Sequence, residues 1–491
     1  MTLLVKKQQK TSKPILQQPA NYINKMNICF ITCFNKTIFF KKISDHLEEI
    51  NPEITIYWLS TSPKWSQYLI DNGTNPENIT QINADDKLLP SEEDKAKQLI
   101  SFAELKNKKS ANFIFLTDRI INHWNHNKAE KYLLLATKKI HDSLSANQIK
   151  IVFGEATALH EVLTAFLCEA NSVAFLKPHT IRIPTTHFAF FKGYLENDFA
   201  TEGTLPSSID IEKAEQQIIS VTKKNQKPDY FYINNKRPSY LDKKFLTSVI
   251  KKIPDSYIEP KKNASEKSIY HHLFIEQKFL TPLKSLISSK SNQFEEPIDG
   301  EKFILYTLHK QPEASIDVLG TAYSNQLELI RNISINTPRD FKIYVKEHSN
   351  AIGERPLNYL DTIKKIPNVR LINPTFDSHK LIQKSELVIT ISGTIAFEAA
   401  LYGKKSATFA PMFFNKISNC HHIKSPDVIP EILSAPLITN SDSNLKETLS
   451  SIISNSFVGS ISDPISSPNC ISKENIMNVG NAFLECIKKY E

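Results

Sequence analysis

The chain has 491 residues, 41% of them hydrophobic and 23% charged, which suits a globular protein of two or three domains with full cores. Its 11 glycines argue against a fold built on repeated glycine-rich loops, and no run approaches the roughly 20 apolar residues of a membrane span. The net charge of +8 suits anionic partners, whether nucleotides, acidic sugars, a phospholipid surface or nucleic acid.

The six cysteines form no Cys-x-x-Cys pair and have no zinc-like spacing with histidine. Cys29 and Cys33 lie in an apolar run and read as buried thiols. Residues 1–25 lack the apolar core segment and small-residue cleavage site of a secretory signal, so a cytoplasmic location is expected. The same residues are polar, with lysines and no acidic residue. They read as a disordered arm, with an electrostatic membrane tether as the alternative.

Strands at 27–34 and 54–59 around a helix at 41–50 begin a Rossmann-like sheet. Helices are predicted at 94–106, 128–146 and 158–170. A strand at 112–116 would place Asp118 just past its end, and one at 150–153 runs into Gly154 and Glu155. A strand at 172–176 leads into residues 177–184, where Pro178 and Pro184 bracket His179 and Arg182. Ligands of open α/β sheets collect outside the carboxyl ends of the strands. Asp118 and Glu155 are therefore candidates for a base or nucleophile, and Arg182 for a bidentate clamp on a carboxylate. Structural alternatives stand beside each. Arg182 also suits an ion pair with a glutamate, Asp118 a local turn with Arg119, and His160 a packed position on its helix. Phe188, Phe190 and Phe191 read as a core edge or an acceptor platform.

Helices follow at 211–223, 241–252 and 270–288, and the polar stretch 288–300 reads as a linker. The second half repeats the alternation, with strands at 303–308, 341–346 and 369–371 and helices at 325–333 and 378–384. A strand at 387–391, the turn Ser392-Gly393-Thr394, a helix at 395–402 and a strand at 406–410 then form one βαβ step. A turn of small hydroxyl residues and glycine can close N–H groups and two hydroxyls around an oxyanion, with the helix N-terminus adding positive charge. It can equally be an ordinary crossover whose Ser and Thr cap the helix. Glu398, one turn beyond Thr394, could reach a ribose hydroxyl of a nucleotide whose phosphate sits on the turn. In a parallel sheet this turn faces the same edge as His309-Lys310-Gln311 and Lys346-Glu347-His348. Together they would make a cationic, hydrogen-bonding pocket for a nucleotide phosphate, although His348 alone also fits a surface loop. A final helix is predicted at 474–490.

These stretches resemble a known family. Tyr344-Val345-Lys346-Glu347-His348, Gly353-Glu354-Arg355-Pro356, Pro367-Asn368-Val369, Ser392-Gly393-Thr394 with Phe397-Glu398-Ala399, and Gly403-Lys404 resemble the capsule polysaccharide biosynthesis family. That family includes bacterial transferases of Kdo and of other ulosonic acids. Phe153-Gly154-Glu155, residues 178–184 with 188–191, and residues 309–315 are similar to further motifs of the family. The likeness is strongest over 303–411 and patchier over 112–191. It implies an α/β protein of GT-B type, with two Rossmann-like domains facing across a cleft and a C-terminal helix. The corresponding division is an arm at 1–25, an acceptor domain at 26–290, a nucleotide-sugar domain at 300–473 and a terminal helix at 474–491. The resemblance also implies a CMP-activated donor as co-substrate, no cofactor and no essential metal, and a glycan or glycolipid acceptor of capsule or lipopolysaccharide type. Under it, His348 and the Ser392-Gly393-Thr394 turn hold the CMP phosphate, with His309, Lys310, Lys346, Glu347 and Glu398 around the donor. Arg182 and His179 hold the sugar carboxylate, and Glu155 or Asp118 serves as the catalytic carboxylate. One position departs from the family pattern: Ser349 follows the histidine where proline is usual.

Rival readings are a transferase or epimerase using a UDP-sugar, and a non-catalytic scaffold of polysaccharide assembly. Nucleic-acid binding has the charge but no reading motif. The expected location is the cytoplasm, with peripheral contact to the inner face of the membrane as a possibility raised by a lipid-linked acceptor.

Overall fold

A computed structural model describes residues 25–223, 294–349, 351–352, 354–356, 358–437 and 441–491. The arm before residue 25, the helices predicted at 241–252 and 270–288, and residues 288–293 of the linker lie outside the described residues.

The first sheet begins with β1 (Met26–Ile31), β2 (Ile54–Ser60) and β3 (Ile79–Gln81) and continues with β4 (Ile151–Phe153), β5 (Ala174–Thr180) and β6 (His187–Lys192). The second contains β7 (Phe303–Thr307), β8 (Lys342–Lys346), β9 (Val369–Ile372), β10 (Leu387–Thr390), β11 (Ser406–Thr408) and β12 (Cys420–His422). The short β13 (Phe457–Val458) returns to the first sheet. The strand orders are β13-β6-β5-β4-β1-β2-β3 and β12-β11-β10-β7-β8-β9. Each sheet starts near its centre, grows to one edge, then restarts on the other side. That is the Rossmann order, with a switch point between β1 and β4 and another between β7 and β10. The strands of the second sheet are parallel, with Ile304 opposite Ile343 and Leu387 opposite Ile304. Leu387–Thr390 is buried throughout, as a parallel strand covered on both faces requires.

The two domains face across a cleft in a GT-B arrangement, and the chain returns to the first domain to close it. The helix Lys473–Lys488 buries Phe483 against Phe153, Phe190 and Phe30, with ring centroids 4.7, 4.8 and 5.9 Å away. Because β13 already pairs with β6, the return begins at Phe457, ahead of the terminal helix. The domains share one apolar core, which reaches the cleft wall at Met412 and Phe413. It contains Phe191, Phe199, Ala214 and Val221 of the first domain and Phe397, Phe413, Phe414 and Leu449 of the second. The Phe413 amide donates to the Glu196 carbonyl at 2.7 Å across this seam.

Two expectations change. Residues 112–116 are not a strand; Asn112–Thr117 is a helix that buries Ile114 and leaves Leu116 58% exposed. Its apolar, aromatic composition suits a strand by propensity. Packing decides otherwise: β3 is the sheet edge and Ile114 joins the core that contains Leu163 and Phe166 of the helix Leu159–Ala170. Residues 187–192, left unassigned by the sequence, form β6. Phe188 and Phe190 enter the core beneath the terminal helix, while Ala189 and Phe191 enter the core between the domains. Both faces are covered, so no polar alternation marks the strand. The three phenylalanines are fully buried and form a core edge, not a platform.

Among the described residues no helix is long and apolar enough to cross a membrane.

Candidate functional site

The cleft has a volume of about 960 Å³ and takes residues from both domains. Its second-domain wall is built from the loops after β7, β8 and β10. β7 lies between the other two strands, so the three loops are neighbours at one edge of the sheet.

The turn after β10 is built around His309. The Ser392 amide donates to His309 Nε2 at 3.4 Å, and Thr390 Oγ1 lies 2.9 Å from the same nitrogen. The Gly393 amide donates to Thr390 Oγ1 at 3.3 Å. The Ser392 hydroxyl donates to the Ser315 carbonyl at 2.5 Å. The expected oxyanion cradle is thus corrected: two of its amides and one of its hydroxyls are directed inward. Thr394 lies on the cleft wall and does not cap the helix with its side chain. With Nε2 accepting from Ser392, the proton of the neutral His309 ring sits on Nδ1. Burial holds its pKa down at about 3, with His348 and Arg355 adding to the effect. His309 is therefore a neutral donor at the cleft wall.

The loop after β8 divides its groups in the same way. Glu347 is 2% exposed and takes a bidentate fork from Arg355, at 2.6 Å from Nε and 2.9 Å from Nη2. Arg355 also donates to the His309 carbonyl at 2.6 Å. Glu347 thus holds the wall together, while its neighbours face the cleft. Lys346 is buried, with Nζ donating to the Pro374 carbonyl at 2.9 Å. Lys310 pairs with Glu354 at 2.9 Å. Burial lowers the pKa of His348; Glu347 opposes this, and Lys310, Lys346 and Arg355 reinforce it. The positive charge of the pocket therefore comes from the lysines, and its histidines act as hydrogen-bonding groups.

Glu398 lines the cleft from the helix Ile395–Leu401, with Oε2 3.0 Å from His379 Nε2. His379 belongs to the helix Ser378–Lys384, which the sequence placed correctly, but nothing in its spacing marked this residue as functional.

The first-domain wall carries Glu155, His179 and Arg182. Glu155 is 9% exposed, forms an ion pair with Lys36, and donates its amide to Glu161 Oε1 at 2.8 Å. Arg182 has φ +68°, a backbone state few non-glycine residues adopt. Its amide donates to Thr180 Oγ1 at 3.3 Å. His179 Nδ1 lies 3.2 Å from the Thr180 carbonyl, so it donates there and leaves Nε2 as a lone pair. Burial lowers its pKa to about 4. A neutral imidazole with an open acceptor suits a sugar hydroxyl, not the carboxylate expected of it. Beneath it, buried Lys177 and Glu196 form an ion pair at 2.6 Å. Although burial disfavours its charge, Glu196 is held ionised, its pKa lowered to about 2 by His179, by Lys177 through charge and direct contact, and by Arg182.

Asp118 lies outside the cleft. Oδ1 accepts from the amides of Ile120 and Ile121, and Oδ2 from that of Leu159, at 2.7–2.9 Å. Its carboxylate ties the turn after Asn112–Thr117 to the start of the helix Leu159–Ala170, which leaves Glu155 as the first domain's carboxylate at the cleft after a strand end. His160 is likewise absent from the cleft wall. Lys36, Lys177, Glu196, Arg355 and His379 were missed by sequence reasoning. Each acts through a partner distant in the chain, except Arg355, whose place in a matched motif was its only signal. Among the described residues no group of three or more His, Cys, Asp and Glu side chains is arranged to hold a metal ion.

No protein-family model and no curated protein matches the chain. Similar solved structures include Thermosulfurimonas dismutans KpsC, a beta Kdo 2,7 transferase, at 15% identity over 70% of this chain and 89% of that one, with a TM-score of 0.31. The UDP-GlcNAc 2-epimerase from Methanocaldococcus jannaschii has 13% identity over 85% and 93%, with a TM-score of 0.24. The glycotransferase of kitacinnamycin has 10% identity over 94% and 98%, with a TM-score of 0.25. At these scores the likeness adds nothing to what the chain's own strand order and cleft establish.

Proposed function

We propose that the protein is a glycosyltransferase that moves Kdo or a related ulosonic acid from a CMP-sugar to a bacterial surface glycan. The observation that carries this reading is the joining of two sets of family-like motif residues in one cleft. Glu155 and Arg182 share a cavity of about 960 Å³ with His309, Lys346 and His348, room for a nucleotide-sugar and the end of an acceptor.

The chemistry follows from the donor. A CMP-linked ulosonic acid carries phosphate on its anomeric carbon and a carboxylate beside it. His309 Nδ1–H, His348 and Lys346 are suited to the phosphate and to the charge that develops as CMP leaves. Glu398 takes the ribose. Arg182 takes the sugar carboxylate, and His179 Nε2 accepts from a sugar hydroxyl. The bond broken joins the anomeric carbon to the phosphate oxygen, and CMP leaves with the electron pair. The bond formed joins that carbon to the acceptor oxygen. In a single displacement Glu155 receives the acceptor proton; in a double displacement it attacks first as CMP leaves, and the acceptor then displaces it and passes its proton to the freed carboxylate. The Lys36 ion pair holds the Glu155 carboxylate in place for either role. No metal enters this scheme. Cations near the cleft and the net charge of +8 suit a glycolipid acceptor at the inner membrane face.

The test is incubation with CMP-Kdo and a Kdo-terminated glycolipid, read by mass spectrometry and by NMR of the new linkage. Formation of a Kdo adduct is expected, and its anomeric configuration identifies the role of Glu155. Transfer or epimerisation of a UDP-sugar, with CMP-Kdo untouched, would overturn the proposal.

A further inference from the structure

Glu398 is held by a chain of contacts that its proposed role does not by itself explain. His379 Nε2 lies 3.0 Å from Glu398 Oε2, and His379 Nδ1 lies 3.2 Å from the Tyr402 hydroxyl. Tyr402 donates to the carbonyl of Val221 at 2.8 Å. His379 is 3% exposed; its amide is fixed by Asp377 Oδ1 at 2.9 Å, and its ring meets the Tyr402 ring edge-on at 5.5 Å.

Proton counting gives this chain a direction. A phenol has one proton, and a carbonyl can only accept, so the Tyr402 proton goes to Val221. His379 Nε2 faces a carboxylate, which can only accept, so Nε2 donates and Glu398 Oε2 is the fixed end of the chain. A glutamate has three rotatable side-chain bonds, and freezing them costs entropy at the moment of binding. The His379 contact meets that cost in advance and keeps Glu398 as an acceptor-only carboxylate on the cleft wall. Such a group recognises paired O–H donors. A ribose cis-diol supplies two; a 2′-deoxyribose supplies one, and a phosphate dianion none.

We infer that His379 is a positioning residue that aligns Glu398 to recognise the ribose cis-diol, so that the site selects ribonucleotides over 2′-deoxyribonucleotides. The inference rests on the nucleotide reading of the second-domain wall. Tyr402 supports His379 from the far side, and through Val221 it ties this recognition to the helix Ser208–Thr222 of the first domain.

The test is titration calorimetry of the full chain with CMP and with 2′-deoxy-CMP. Wild type is expected to prefer CMP by about tenfold or more, the worth of one hydrogen bond to a charged group. His379→Leu should lower CMP affinity by about tenfold and leave 2′-deoxy-CMP within about twofold, collapsing the ratio. His379→Gln, which can keep one donor, should restore part of it. A ratio unchanged in His379→Leu, or equal losses for both ligands, would overturn the inference while the nucleotide reading stands. Absence of CMP binding to wild type would overturn both. Should His379→Leu fail to fold, Tyr402→Phe keeps the ring and removes the hydroxyl. An intermediate ratio is then expected, and a wild-type ratio contradicts the inference.

Discussion

The Ser392 amide donates to Nε2 of His309, 83 residues away in the chain, and thereby fixes the His309 proton on the opposite nitrogen. The turn after β10 thus acts through a histidine. Gly393 is needed here for space: a Cβ would lie 2.7 Å from Thr390 Oγ1, the hydroxyl that also meets His309. Gly393→Ala should therefore displace Thr390 and release His309. The expected result is a loss of about tenfold or more in CMP affinity by calorimetry, with the melting temperature changed little.

Glu155 stands on the opposite wall from the nucleotide groups. Glu155→Gln should lower turnover of CMP-Kdo by about 100-fold or more while CMP affinity stays within about twofold. Near-normal turnover would remove Glu155 from the chemistry. Asp118→Asn should act differently, lowering stability through its three amide contacts.

Burial holds the imidazoles of His179, His187 and His309 at about 4, about 4 and about 3, below the ordinary 6.5. In the unfolded chain each takes up its proton near pH 6.5, while the folded chain resists until the pH is lower. Their contribution to stability is therefore complete above pH 6.5 and is lost as the pH falls towards 4 and 3. The melting temperature should drop across this window. His187 is outside the cleft, so His187→Gln should flatten part of the slope without changing CMP affinity, as differential scanning fluorimetry across pH can check.

Lys177 and Glu196 are both buried, at 3% and 8% exposure, and neutralise each other. Lys177→Met would strand a buried carboxylate and should cost about 3–5 kcal/mol in urea unfolding. Adding Glu196→Leu should recover most of that loss. Equal destabilisation by the single and double variants would show that the ion pair is not the cause.

Much of this architecture is legible in the chain. The second domain reads well because its parallel strands are nearly unbroken apolar runs and its ligand loops begin where those runs stop, as at His309, Lys346 and Ser392. The helix Ser378–Lys384 was placed to the residue. What could not be read is which polar groups of a loop turn inward. Ser392 and Glu347 look like ligand groups beside Thr394 and His348, and only the positions of His309 and Arg355 show that they hold the wall instead. Glu196 sits in an irregular stretch after a strand that was itself concealed by burial on both faces. The helix Asn112–Thr117 was misread because propensity cannot report that the sheet has no place for another strand. The return of the chain at Phe457 rests on a pairing of two residues, too short for any periodicity.

The central claim is that the second-domain wall binds a CMP-linked donor. The most direct measurement is a thermal-shift titration of the full chain with CMP, CDP, UMP and UDP. The account predicts stabilisation by CMP at concentrations where UMP and UDP have no effect, because only a site built for a cytidine monophosphate donor gains binding energy from that ligand alone. Selective stabilisation by UDP, or no shift with any of the four, would contradict it.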